Sequence, residues 1–456
     1  MSRIYKTLLL AVLVGTATEM QASVSNHDLL YVYDLAVKHD AQNAEAKARM
    51  HATVEKTFQG RAALLPSLNL NASTQFNKVE TNVDGGSDVK NNYNSHGWSA
   101  ILNQPLFNLE RWFNYKQTKA VSEQAKYQLA SEQQGLILRV CEAYFNILRA
   151  EDSQITSKSE EKAVKQQLDH AKERYNVGLT AKTDALEAQA EYDNARVSRI
   201  LTDNQVSVSY ENLRTIINTI LSDIGKLKKH MPLLAPTPAI IESWVNNAVA
   251  NNLNLKAARE ELIATEENLR AKKSEHAPTV DAFASYNHTS TDSDKARNST
   301  NGGTASGRSN STVVGLNLKV PIFSGGATCS LVREAGYLME QSQQRFDMLL
   351  RETSSKTRNF FKTVNSDIER VEARKQGILS SDSALKATQS GYEVGTRNIT
   401  DVLEAQKRLY SAQRDYLNAR YDFIINTLRL KQLAGTLSPD DVRSLSGWII
   451  FSKVES

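Results

Sequence analysis

Two kinds of hydrophobic spacing divide this chain. At Leu68, Leu70, Ala72, Thr74 and Phe76 the less polar positions alternate with Asn69, Asn71, Ser73, Gln75 and Asn77, the period of a strand with one apolar and one polar face. The same alternation returns at Val280, Ala282, Ala284, Tyr286 and His288 against Asp281, Ser285 and Asn287, with Phe283 out of pattern. Return strands are predicted over Trp98 to Pro105 and Val314 to Ile322, with polar connections over Lys78 to Ser95 and Thr289 to Thr312, the latter holding Asn301-Gly-Gly303. Elsewhere the spacing is helical. Helices are predicted from about Asp28 to Leu64 and Ile240 to Glu275, each ended by a proline, Pro66 or Pro278. Very long helices follow, about Leu109 to Arg174 and Ala327 to Gly391, each broken at a Val-Gly and continued by a further long helix. The last, Ile399 to Leu433, carries a seven-residue repeat in Val402, Leu409, Tyr416 and Phe423 beside Leu403, Tyr410, Leu417 and Ile424, which predicts left-handed coiled-coil packing. Packing in an ordinary bundle uses the same residues, but leaves the helix lengths unexplained.

The grammar is written twice. Tyr175-Asn-Val-Gly-Leu-Thr-Ala-Lys-Thr-Asp184-Ala-Leu-Glu-Ala-Gln189 returns 217 residues later as Tyr392-Glu-Val-Gly-Thr-Arg-Asn-Ile-Thr-Asp401-Val-Leu-Glu-Ala-Gln406 (175 to 392). Pro105-Leu-Phe107 is answered by Pro321-Ile-Phe323, and Pro66 by Pro278, in the same order. Landmarks recurring at nearly one spacing indicate an internal duplication. The expected divisions are residues 1–22, 23–235 (first repeat), 236–435 (second repeat) and a 436–456 tail.

Composition sharpens this. Among 456 residues there are only 8 Pro and 20 Gly, which suits long helices. The net charge of +4 comes from interleaved acidic and basic residues, which gives no nucleic-acid surface. Arg3 and Lys6 before the apolar run Leu8 to Ala17 predict a secretory signal peptide cleaved after Ala22. No later stretch has the roughly 20 apolar residues of a membrane helix. The mature chain is therefore expected to be periplasmic, secreted, or a β-barrel in an outer membrane. Strand pairs with long polar loops suit the barrel, although a soluble hairpin reads the same way strand by strand. Four strands cannot close a barrel, and open edges cannot face lipid, so a membrane barrel requires several chains.

Enzyme chemistry has no support. The eight histidines lack ligand spacing, Gly302-Gly303 and Gly325-Gly326 lack the Lys-Ser/Thr of a phosphate loop, and no nucleophile motif occurs; no cofactor or metal is expected. Cys141 and Cys329 are expected as free, partly buried thiols. A periplasmic adaptor or coiled-coil structural protein is the alternative, disfavoured because the whole strand–helix unit is duplicated. The apolar Gly447-Trp-Ile-Ile-Phe451 has no assigned role.

Leu64-Leu-Pro-Ser-Leu, Ala143-Tyr-Phe-Asn-Ile-Leu148, Tyr175-Asn-Val-Gly178, Gly391-Tyr-Glu-Val-Gly-Thr-Arg-Asn-Ile-Thr-Asp-Val-Leu-Glu404, Asn418-Ala-Arg-Tyr421 and Leu433-Ala-Gly-Thr-Leu437 together make the chain resemble the TolC family of outer-membrane factors over almost its whole mature length. The resemblance implies a mainly α fold with β: a homotrimer whose chains each give four strands to a 12-stranded outer-membrane barrel above a periplasmic α-helical barrel. It implies an exit duct for tripartite efflux or type I secretion in a Gram-negative bacterium, with outer-membrane lipid, a periplasmic adaptor and an inner-membrane transporter as partners. By position, Asp401 and Glu404 match the acidic rings of the periplasmic aperture, Glu404 standing where the family has Asp. Tyr392 and Arg397 match a gating latch whose partners are Thr183 and Asp184. A plainer reading stays open: Asp184, Glu187, Asp401 and Glu404 all lie where a helix restarts, and acidic residues favour a first turn. The tyrosines also suit a core, and Glu187 has no assigned role.

Overall fold

A computed structural model describes residues 27–81, 89–221, 223–228, 230–293 and 306–450. The predicted signal segment, Asn301-Gly-Gly303 and Phe451 lie outside them. In chain order the elements are α1 (Leu29–His39), α2 (Ala41–Ala62), β1 (Ser67–Thr81), β2 (Val89–Phe107), α3 (Leu109–Asn176), α4 (Lys182–Ile217), β3 (Lys226–Leu227), α5 (Ile241–Asn251), α6 (Leu253–Ser274), β4 (Thr279–Ser293), β5 (Gly307–Lys319), α7 (Ala327–Glu393), α8 (Ile399–Leu433), α9 (Pro439–Ser446) and β6 (Ile449–Ile450).

Each helix expected before a strand pair is in fact two. Asp40 and Asn252 leave helical geometry with ψ of 115° and 123°, and their side chains accept from Asn43 N and from Asn254 and Leu255 N. A capping carboxylate or amide satisfies the orphan N–H groups of a restarted helix, so the axis breaks although the apolar period runs on. Both caps are buried and bound elsewhere: Asp40 accepts from Arg139 Nη2 at 3.0 Å, and Asn252 Nδ2 donates to Leu433 O at 2.9 Å.

The strands pair antiparallel in the order β1-β2-β4-β5. They are longer than expected. β1 runs to Thr81 and β2 begins at Val89, while β4 reaches Ser293 and β5 begins at Gly307, so most of the first supposed loop and nearly half of the second are ladder. The return strand predicted over Val314 to Ile322 instead ends at Lys319. Backbone hydrogen bonds continue after side-chain alternation stops. The register aligns the faces: Leu68, Leu102, Ala284 and Val314 form one row, and Leu70, Ala100, Tyr286 and Thr312 the next. On that face Leu68, Leu70, Val314 and Leu316 are each 70–76% exposed. The other face carries Asn69, Asn71, Ser99, Ser285 and Asn287, so the apolar side is the solvent-avoiding one in an assembly or membrane. Phe283, out of pattern, lies over Gly315, whose missing Cβ leaves room for the ring.

Below the sheet, α3 has 68 residues and α7 67, or about 100 Å at about 1.5 Å per residue. α4 folds back on α3 and α8 on α7, and α8 also packs on α3. Both turns use a glycine with positive φ, Gly178 (76°) and Gly395 (79°), which closes the helix ends through Leu179 N to Arg174 O and Thr396 N to Gly391 O. Halfway along, the helices thicken into a girdle. Tyr144, Phe145, Ile147, Leu213, Ile217, Phe423, Ile424 and Leu428 form its core with α1 and α9. Tyr144 and Phe145 meet edge-on at 5.9 Å, and the Tyr144 hydroxyl donates to Gly225 O. The apolar tail patch joins here: Ile449 and Ile450 pair with Leu227 and Lys226. Cys141 is buried in this core, where burial pushes its thiol up to about 12; Cys329 is exposed rather than partly buried, because it begins α7 beyond the packed region. Among the described residues no helix is long and apolar enough to cross a membrane.

Candidate gate at the helix ends

The predicted site residues gather at the two turns farthest from the sheet. At the α7/α8 turn, Asn398 and Asp401 form a capping box: Asp401 N donates to Asn398 Oδ1 at 2.8 Å, and Asn398 N to Asp401 Oδ2 at 3.3 Å. The helix-start reading of Asp401 is thus realised. The carboxylate keeps a second contact, 3.8 Å to Arg397 Nη1. Arg397 lies along Gly391, where a Cβ would stand 2.8 Å from its Cγ, so the glycine makes room for the arginine stem. Glu404 points outward to Arg408 at 3.1 Å. In α4 the first turn has no side-chain cap; Thr183 Oγ1 reaches Asp184 Oδ1 only at 3.5 Å. Within one chain Arg397 therefore meets Asp401 and not Asp184.

Tyr392 is half-buried between the turns. The Arg174 guanidinium lies 4.9 Å from its ring centre, and its hydroxyl, though buried, has no hydrogen-bond partner among the described residues. An unsatisfied buried donor costs about 1–3 kcal/mol, which makes Tyr392, with Arg174 Nε and Thr180 Oγ1 beside the same turns, an unsettled group of the site.

Contacts that the sequence did not disclose tie α8 to the other hairpin. Thr400 Oγ1 donates to Glu187, giving that residue a partner, and Lys407 Nζ sits 3.4 Å from Glu191. Ile399 and Leu403 pack on Val164, Leu168, Ala171, Ala188 and Ala195. A faint signal existed: Glu187 and Glu404, like Thr183 and Thr400, share the repeat offset, but their pairing requires α4 beside α8.

Farther up, buried polar bonds anchor the same helices. Tyr210 donates to Glu151 at 2.7 Å and Tyr421 to Asp152 at 2.6 Å. Burial pushes both carboxyls above the usual range, and the tyrosine hydroxyls, with Lys226 nearby, only partly offset it. Arg414 to Glu160 and Arg149 to Asp422, both 2.6 Å, join α8 to α3. The site offers charges and breakable bonds at a helix turn, suited to holding and releasing a hairpin rather than to bond chemistry.

The profile of the "Outer membrane efflux protein" family matches residues 32–219 and 244–436. The chain is 34% identical to outer membrane protein TolC of Vibrio cholerae over 95% of this chain and 96% of that one. It is 27% identical to the alkaline protease secretion protein AprF of Pseudomonas aeruginosa, over 91% and 85%. In three dimensions it resembles the crystal structure of the outer membrane protein VceC from Vibrio cholerae, with a TM-score of 0.75 at 16% identity, covering 89% of this chain and 96% of that one.

Proposed function

The chain belongs to the outer membrane efflux protein family and is a Gram-negative outer-membrane exit channel for efflux and type I secretion, not an enzyme; from that premise we propose that it works as a homotrimer gated at its helix ends. The observation that carries the reading is a four-stranded sheet with an exposed apolar face and two open edges, set on helices about 100 Å long. In lipid those edges require partners, and three copies pool twelve strands into one closed barrel with the Asn/Ser face around water. The helices of three copies then form the tunnel beneath. The mature chain reads as two repeats, 23–235 and 236–435, after a signal peptide over 1–22 and before a 436–456 tail, of which residues 437–450 close the girdle.

The gate works by exchange of partners. Arg397 leaves Asp401 for Asp184 and Thr183 of an adjoining copy, and the unsatisfied Tyr392 hydroxyl donates to the same carboxylate. Copies of Asp401 and Glu404 around one axis concentrate negative potential in the neck and favour cations. Docking of a periplasmic adaptor and an inner-membrane transporter breaks these few bonds and lets α7 and α8 swing outward, a two-state element biased by a ligand.

Planar-bilayer conductance tests it. The pore is expected to be small and cation-selective, to enlarge in Arg397→Ser with Tyr392→Phe, and to lose multivalent-cation block in Asp401→Ala with Glu404→Ala. Unchanged conductance removes the latch, and retained block removes the acidic rings.

A further inference from the structure

Immediately below the sheet the outer surface changes character. The apolar face of β2 ends at Leu106 and Phe107, both exposed, and Asn108 caps α3 by accepting from Arg111 N. One turn on, Trp112 is 45% exposed. Lys116 Nζ lies 5.8 Å from the Trp112 ring and 5.5 Å from that of Phe113, and Lys119 Nζ lies 6.0 Å from that of Tyr115. Among the described residues neither lysine has a carboxylate within salt-bridge distance; Glu123, the next acid on α3, pairs with Lys126 at 2.7 Å.

Two faces of α3 are occupied here. Arg111 donates to Ala63 O and Thr118 O accepts from Thr57, toward α2, while Gln124 bonds Glu261 of α6. Trp112, Lys116 and Lys119 share the side between those two, with Glu123 next on it. Their heights fit a membrane boundary. Higher on the apolar face, with Phe76 beyond it on β1, Trp98 lies tilted 5.1 Å from Tyr286 and 6.3 Å from His288. From Trp98 to Phe107, strand at about 3.3 Å per residue tilted about 40° spans roughly 23 Å, close to the apolar band of an outer-membrane barrel between its aromatic girdles. Lys116 and Lys119 then fall about 6 and 10 Å below Trp112, at headgroup depth.

We propose that the strip Trp112, Lys116 and Lys119 binds the anionic headgroup of a phospholipid in the inner leaflet of the outer membrane. The rings hold the lysine stems upright and share the headgroup layer, while two ammonium groups with no carboxylate in salt-bridge contact meet one phosphodiester. The occupant follows from continuity with the apolar face above and from charge. The start of α7 takes the equivalent place in the second repeat but has Glu334 beside Arg333 and no tryptophan, so each chain has one such strip. The inference rests on the sheet being a lipid-facing barrel.

The test uses the full-length protein, Lys116→Gln with Lys119→Gln, and Lys126→Gln as the control, each in mixed micelles with equimolar phosphatidylglycerol and phosphatidylcholine, with retained lipids counted by native mass spectrometry. A lysine near an anionic surface contributes about a fivefold preference. The unaltered protein and the control are expected to retain phosphatidylglycerol at least about fivefold over phosphatidylcholine, and the double variant to retain the two about equally. Preference kept in the double variant, or missing in the unaltered protein, overturns the proposal. Intact masses in the same spectra report the assembly separately, so a lost lipid preference is distinguishable from a failed barrel.

Discussion

The girdle and the gate are built from the same helices, α3, α4, α7 and α8, and differ in what lies between them. In the girdle, Tyr144, Phe145, Ile147, Ile217, Phe423 and Leu428 interlock in one continuous core. At the gate the contact is two small clusters, one rich in alanine, supplemented by exposed polar pairs. An alanine buries little apolar area, and exposed ion pairs contribute about 0–1 kcal/mol each. One region is packed to persist, and the other is held by contacts weak enough for the proposed opening. The comparison teaches that helix length carries no rigidity by itself; packing decides where a rod bends.

The contrast is broken most forcefully in the core. Phe145→Ala is expected to cost about 3–5 kcal/mol, read as a large fall in thermal midpoint and loss of detergent-stable oligomer. Leu403→Ala at the gate, with fewer neighbours to leave behind, is expected to cost less in the same assay; an equal fall would show that the gate is packed as tightly as the girdle.

The next largest effect depends on pH. Asp152 holds its proton more tightly folded than unfolded. Stability therefore falls as pH rises from the ordinary carboxylate pKa through the raised one, and the cost of the buried charge grows over that interval. Asp152→Asn keeps an acceptor for Tyr421 and removes that cost. Its midpoint is expected to exceed the unaltered protein's at pH 7 and to converge with it toward pH 4, measured by thermal unfolding across that range. A gap independent of pH refutes the assignment.

The smallest effect sharpens the gate. Thr400→Val deletes the hydroxyl bound to Glu187, a net loss of about 1 kcal/mol, and should raise single-channel open probability by about fivefold while lowering the thermal midpoint by only about 1–2 °C. An unchanged open probability would make that bond an ornament of the closed chain.

Much of this was legible before the structure, for definable reasons. Pro66 and Pro278 end helices wherever they occur, and alternation at Leu68–Phe76 depends only on neighbours in sequence. The breaks at Asp40 and Asn252 were hidden because the apolar period continues through them, and only Arg139 and Leu433, far along the chain, hold the caps in place. Strand lengths were underestimated because residues near Thr81 and Gly307 pair through the backbone, which leaves no side-chain pattern. At the gate, Asp401 was marked both by its place in a first helical turn and by family resemblance. Glu187 was opaque because its partner Thr400 lies 213 positions away and meets it only when two hairpins stand side by side.

The bends at Asp40 and Asn252 also act as joints. Each is bolted to a different neighbour, one to the middle of α3 and the other to the last residue of α8. Under the proposed gating, a sideways pull on the lower hairpins arrives at two separate fixings on unlike supports, so the strand end is expected to hold still while the helix ends part.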